Sequence, residues 1–279
     1  MKIMLGNTCI EMYSQDADFM EEMHTRYHPF LTSRQPDFCI EFSLRNDLTV
    51  SEIKELLRNS RSYLEGSHFF TLPRILDCQV DWKEARLQVS TEKKLFSQEV
   101  DYKLMNILLR GIYSGIHKRQ KNERPEAYLV HGCGIMDGTR CYLFTGPSGS
   151  GKTTVASLAD GRQVLNDETV LIGRSKEGFE LAGTPFDGGV PARCGGAWCL
   201  SAILFLKHEK EVSLRRLSKV ETYYRFLAQV FGTTPLFEIH GSESVAERSD
   251  LSAEVARQVP SYELGFRPDS SFWKVVENI

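Results

Sequence analysis

The sequence lacks any C-x-x-C pair, any large excess of one charge, any long apolar run and any internal repeat. Its seven cysteines, Cys9, Cys39, Cys78, Cys133, Cys141, Cys194 and Cys199, are scattered and odd in number. A disulfide framework and a zinc site are therefore not indicated, and reduced, partly buried thiols are expected. Lys and Arg count 34 against 37 Asp and Glu, a net charge of -3. No global positive field is present to draw in nucleic acid or an anionic membrane. The longest strongly apolar stretch covers residues 199–206, far short of the ~20 residues of a spanning helix. Residues 1–5 are too short for the apolar region of a signal peptide, so a cytoplasmic address and no membrane span are expected. With 41% hydrophobic and 25% charged residues the composition is that of a folded globular chain. Its 279 residues allow one large domain or two modest ones.

What is present begins with an α+β module over residues 1–99. Residues 14–27 carry Phe19, Met20, Met23 and Tyr27 on one helical face, with Pro29 just beyond. Thr49 and Glu52 have the spacing of a capping box that opens a second helix. Strands are predicted over residues 38–44, 68–72, 76–80 and 85–90. The second domain is expected to span residues 100–279. It opens with a helix whose stripe is Leu104, Leu108, Ile112 and Ile116 beside Met105 and Leu109. The basic run over residues 117–123 reads as a solvated loop. Near the C-terminus, Ser218 and Glu221 make another capping box, with Val220, Tyr223, Leu227 and Val230 at helical spacing as a core face up to Gly232.

The chemistry is concentrated in the middle. Residues 127–145 read as a β-hairpin around Asp137-Gly138, and the second strand runs into Gly146-Pro147-Ser148-Gly149-Ser150-Gly151-Lys152-Thr153. This is the G-x-x-x-x-G-K-[ST] phosphate loop, followed by Thr154 and a helix-compatible segment. Its glycines let backbone N–H groups turn toward phosphate oxygens, and a helix opening at Lys152 adds its positive end. Lys152 neutralises β- and γ-phosphate charge, and the Thr153 hydroxyl is placed to ligate Mg²⁺. Nucleotide binding is the expectation.

Two further groups are brought to this loop by geometry. With the hairpin tip at residues 137 and 138, His131 falls opposite Phe144 or Thr145, beside the start of the loop. Asp167-Glu168 follows a short predicted strand over residues 163–166 and precedes an apolar one over residues 169–172. Neighbouring side chains on a regular strand point to opposite faces, so both carboxylates serve one site only if the chain bends there. A bend is therefore expected at Asp167-Glu168.

His131-Gly132, the phosphate loop over residues 146–153 and Val164-Leu165-Asn166-Asp167-Glu168 together resemble the catalytic domain of bacterial HPr kinase/phosphorylase, in order and in spacing. The resemblance covers roughly residues 125–210 and implies a P-loop kinase core related to phosphoenolpyruvate carboxykinase. It implies ATP-dependent phosphorylation of a serine hydroxyl. By position, Lys152 and the loop amides would hold ATP, Thr153 and Glu168 would hold Mg²⁺, Asp167 would accept the hydroxyl proton, and His131 would lie beside the transferred group. Glu168 stands where the family has Asp, and Thr154 where it has Glu. The Glu-Ile-Arg-Gly-Leu-Gly signature is missing, with Gly188-Gly189 and Gly195-Gly196 flanking Arg193 in the corresponding region. The chain as a whole looks more like the shorter HPr-kinase-related proteins found with peptide-modification systems. That implies a peptide serine, a protein or a small molecule as acceptor, and oligomeric assembly. Arg193 is a candidate contact for phosphate or substrate.

Two functions follow: an ATP- and Mg²⁺-dependent kinase acting on a hydroxyl, and an ATP-binding regulatory or peptide-docking module without transfer. A transporter-type ATPase fits less well, because no Leu-Ser-Gly-Gly-Gln element is present and the acidic pair follows Lys152 too soon.

Overall fold

The computed structural model describes residues 1–59, 63–65, 68–72, 74–97, 103–119, 127–186, 188–190, 196–230 and 245–279. The protein is mixed α/β and divides into two compact units. One holds the described residues up to 119, and the other holds 127–230 and 245–279.

The first unit is built from β1 (Lys2–Leu5), β2 (Thr8–Ser14), α1 (Ala17–Arg26), β3 (Phe38–Arg45), α2 (Val50–Asn59), β4 (Tyr63–Glu65), β5 (His68–Leu72), β6 (Leu76–Asp81), β7 (Arg86–Glu92) and α3 (Lys103–Arg119). Its strands form one mixed sheet in the order β1-β2-β3-β7-β6-β5-β4. Asp16 caps α1 by accepting the Phe19 amide at 2.9 Å. Thr49 and Glu52 exchange the bonds of the expected capping box at the start of α2. Phe19 of α1, Phe42 of β3 and Phe96 then pack ring against ring in the core. On α3, Met105, Leu108, Leu109 and Ile112 are buried, as the helical stripe requires. This helix belongs to the first unit, so the division between units falls C-terminal to it rather than at residue 100.

The second unit contains β8 (Ala127–Asp137), β9 (Arg140–Thr145), α4 (Lys152–Ser157), β10 (Gln163–Asn166), β11 (Thr169–Ser175), β12 (Gly178–Ala182), β13 (Ala197–His208), β14 (Ser213–Arg216), α5 (Lys219–Leu227), α6 (Val245–Gln258), β15 (Ser261–Phe266) and α7 (Trp273–Val276). The apolar run noted above becomes β13, which lies parallel to both β9 and β15. A strand flanked in this way is buried on both faces and needs apolar residues throughout. Alternate residues supply two cores. Leu143, Ile203 and Phe205 face Phe226, Leu251 and Val255, whereas Tyr142, Phe144, Ala202 and Leu204 face Val155, Phe272 and Trp273. The long strand β8 serves several partners: residues 127–131 pair with β11, and residues 132–137 pair with β9.

Two expectations change in this unit. The hairpin pairs Asp137 with Arg140 and Gly132 with Thr145, so its turn is Gly138-Thr139, two residues' worth of register from the predicted pairing. Asp137 is still part of the ladder, which moves His131 one step past the last β8–β9 pair. On α5, Thr222 and Phe226 are buried whereas Val220 is 66% exposed. The core face is thus rotated from the one read off Val220 and Tyr223. The six-residue α4 occupies the helix-compatible segment that follows the phosphate loop. Among the described residues no helix is long and apolar enough to cross a membrane.

Candidate functional site around the phosphate loop

The buried strand β9 delivers its last residue, Thr145, to the centre of the sheet, and the chain then turns through Gly146 to Gly151 into α4. Gly151 is required on two counts. Its φ is 101°, and a Cβ there would lie 2.5 Å from Phe266 Cζ and 3.2 Å from His208 Cε1. His208, at the end of β13, stacks on Phe266 with ring centroids 5.5 Å apart. Its Nε2 lies 2.9 Å from the Gly149 carbonyl oxygen. Two neighbouring parallel strands therefore buttress the loop from outside.

Inside the loop, Lys152 is 6% exposed. Its Nζ donates to the carbonyls of Gly146 at 2.9 Å and Pro147 at 3.0 Å. No carboxylate of the described residues comes within ion-pair distance of it. Burial pushes the ammonium below the ordinary lysine value, with the negative charges of Glu168 and Asp167 among the opposing influences. Ser150 adds a buried hydroxyl without a hydrogen-bond partner among the described residues. A buried cation hydrogen-bonded to carbonyls, next to a buried hydroxyl and glycine-rich backbone, suits an anion of high charge density. A polyphosphate therefore fits. Because α4 is short, the loop amides and Lys152 carry this site more than a helix dipole does.

His131 is fixed through its backbone. Its amide donates to Gln229 O at 2.8 Å, and its carbonyl accepts the Thr145 hydroxyl at 2.6 Å. Its imidazole Nε2 lies 3.9 Å from Glu168 Oε1.

Asp167 and Glu168 form the bend between β10 and β11 that the strand rule required. Asp167 is fully buried, and its two carboxylate oxygens accept the amides of Gly188 and Gly189, each at 2.9 Å. Close packing joins these glycines to the site. A Cβ on Gly189 would lie 3.1 Å from Thr153 Cγ2 and 3.7 Å from Asp167 Oδ2, and one on Gly188 would lie 3.2 Å from Glu168 Oε2. Thr153, Asp167 and Glu168 thus border one space beside the loop. Thr153 and Glu168 offer one hydroxyl and one carboxylate, a set suited to Mg²⁺, which keeps water and phosphate oxygens as its other ligands. Among the described residues no group of three or more His, Cys, Asp or Glu is placed to hold a metal by itself.

The structure therefore gathers His131, Lys152, Thr153, Asp167 and Glu168, while Arg193 lies outside the described residues. Sequence reading missed Asn166, Thr184 and His208. Only Asn166 carried a signal, as a turn-forming residue at the end of a predicted strand. No protein-family model matches the chain, and no curated protein matches it.

Proposed function

We propose that the second unit is a P-loop kinase core of the HPr kinase/phosphoenolpyruvate carboxykinase type, and that the protein transfers the γ-phosphoryl group of ATP to a hydroxyl. A serine of a peptide or protein, or a small molecule, is the acceptor class. The observation that carries the reading is Lys152, a buried cation in a glycine loop with no carboxylate of the described residues at ion-pair distance, bordered by a bend that delivers two carboxylates. Magnesium-bound ATP supplies the transferable phosphoryl group when bound. Lys152 and the loop amides hold its phosphates, and Thr153 with Glu168 holds the metal. Phosphoryl transfer asks a protein mainly for alignment and charge stabilisation. Asp167 is the group positioned to take the acceptor's proton, and His131 flanks the same space.

A second reading, an ATP-binding regulatory or docking module without transfer, is favoured by one feature. Both oxygens of Asp167 already accept backbone amides, which occupy lone pairs that a base would use. Incubation with γ-labelled ATP and Mg²⁺ over a panel of peptides and amino acids separates the two. Label in an acceptor supports the kinase. Tight ATP binding with no acceptor labelled selects the module.

A further inference from the structure

Asn166 is the last residue of β10 and is fully buried. Its Oδ1 accepts the amides of Glu168 at 2.7 Å and Thr169 at 2.8 Å, and its Nδ2 donates to the Thr184 carbonyl at 2.8 Å. Capture of backbone amides two and three residues ahead folds the chain around the intervening residue. On an uninterrupted strand Asp167 and Glu168 would face opposite sides of the sheet. With the fold imposed by Asn166, Asp167 meets Gly188 and Gly189 while Glu168 faces His131.

The third bond reaches the partner loop. Thr184 is fully buried, and its hydroxyl donates to the Thr169 carbonyl and accepts the Phe186 amide at 3.3 Å. The segment leading to Gly188 and Gly189 therefore starts from a residue that Asn166 and Thr169 hold. One side chain joins the bend that carries the carboxylates to the loop that contacts them.

We propose that Asn166 is a positioning residue of the phosphoryl-transfer site, setting the mutual orientation of Asp167 and Glu168. It touches no reacting atom. The proposal rests on the kinase reading above. Glu168 is the metal-binding member of the pair and the phosphate loop is held independently by β9 and β13. Loss of Asn166 must therefore act on metal use and rate before it acts on nucleotide affinity.

The test uses the full chain and compares wild type with Asn166→Ala and Asn166→Asp. Four quantities are measured: turnover with labelled MgATP, the Mg²⁺ concentration for half-maximal turnover, ATP affinity in EDTA, and Tm. For Asn166→Ala the rate falls about 10²-fold and the magnesium requirement rises about tenfold, with ATP affinity in EDTA unchanged. Asn166→Asp keeps the acceptor for both amides and recovers most of the magnesium requirement. If Asn166→Ala does not fold, Asn166→Ser replaces it: its hydroxyl keeps one nearby amide and gives up the bond to the Thr184 carbonyl, so the rate falls and the magnesium requirement rises in the same direction but by less. A wild-type rate in the variant overturns the proposal and leaves the kinase reading standing. So does a loss that follows Tm and falls equally on ATP affinity, because that is a merely structural role. A wild-type protein that turns over no ATP with any acceptor overturns the kinase reading, and this proposal with it.

Discussion

His131 Nε2 and Glu168 Oε1 face each other 3.9 Å apart where β8 meets the bend before β11. The backbone of His131 is bonded on both sides, so β8 fixes where the imidazole begins, and the bend fixes where the carboxylate begins. Replacing Glu168 by Gln preserves shape and removes the charge offered to a metal. The magnesium concentration for half-maximal turnover is expected to rise about tenfold, with ATP affinity in EDTA unchanged. An unaltered magnesium dependence takes Glu168 out of the metal site.

Lys152 gives a prediction that separates function from stability. Its ammonium is buried with carbonyls as its hydrogen-bond partners among the described residues, so the fold bears a desolvation cost that Glu168 and Asp167 offset in part and that a bound anion offsets further. Lys152→Met retains the length of the side chain without the charge. Its Tm without ligand should equal or exceed that of the wild type, whereas the rise in Tm on adding ATP should vanish. Thermal scans with and without nucleotide check both halves. A persisting ATP-induced rise would mean that the loop does not hold the nucleotide.

For Asp167 the exchange to Asn is informative because both oxygens accept amides. An amide side chain presents one oxygen and one donor nitrogen, so one of the Gly188 and Gly189 bonds must be lost. Transfer should slow by ~10²- to 10⁴-fold, the usual contribution of a positioned proton acceptor. Nucleotide affinity should stay near wild type, since Lys152 and the loop amides are untouched. A fully active Asp167→Asn protein rejects the proton-acceptor role and leaves only a structural carboxylate.

Much of the site was legible because its cues are local. The phosphate loop is a contiguous motif, the hairpin has a two-residue turn, and the alternation rule demanded a bend at Asp167-Glu168 before any coordinates did. The misplacements also have local causes. Asp137-Gly138 reads as a turn by residue type, yet Asp137 pairs with Arg140, and Gly138 at φ 60° takes the first central position of the two-residue turn, where a positive φ is needed. On α5, periodicity admits Val220 and Tyr223 as readily as Thr222 and Phe226, and packing against Leu251 and Val255 decides between them. Asn166 was legible only as a turn former at a strand end, and its tie to the partner loop was not. Its partner Thr184 lies eighteen residues away on another segment, and a bond of that range leaves no mark in either local sequence. His208, 59 residues beyond the Gly149 carbonyl it meets, is hidden by the same kind of range.

The buried thiols yield a prediction with a definite sign that does not depend on the catalytic reading. Burial pushes the Cys141 thiol up from 9.0 to about 12, and burial also raises Cys133 well above its ordinary value. Unfolding lets both ionise near the ordinary value, so above about pH 9 the unfolded chain binds fewer protons than the folded one and stability falls as pH rises. Their contribution is complete below the unfolded value and is lost as pH climbs toward the folded one. Burial of Lys152 works in the opposite direction, but it is common to wild type and to a cysteine variant and cancels in the comparison. Urea midpoints for wild type and Cys141→Ala, measured from about pH 8 to about pH 10.5, should therefore diverge in slope. The wild type loses stability more steeply, and the variant, although less stable at neutral pH for want of a packed side chain, has the flatter profile. Parallel profiles would mean that the Cys141 thiol ionises in the folded protein as readily as in water, and that its place between β9 and β13 is open to solvent.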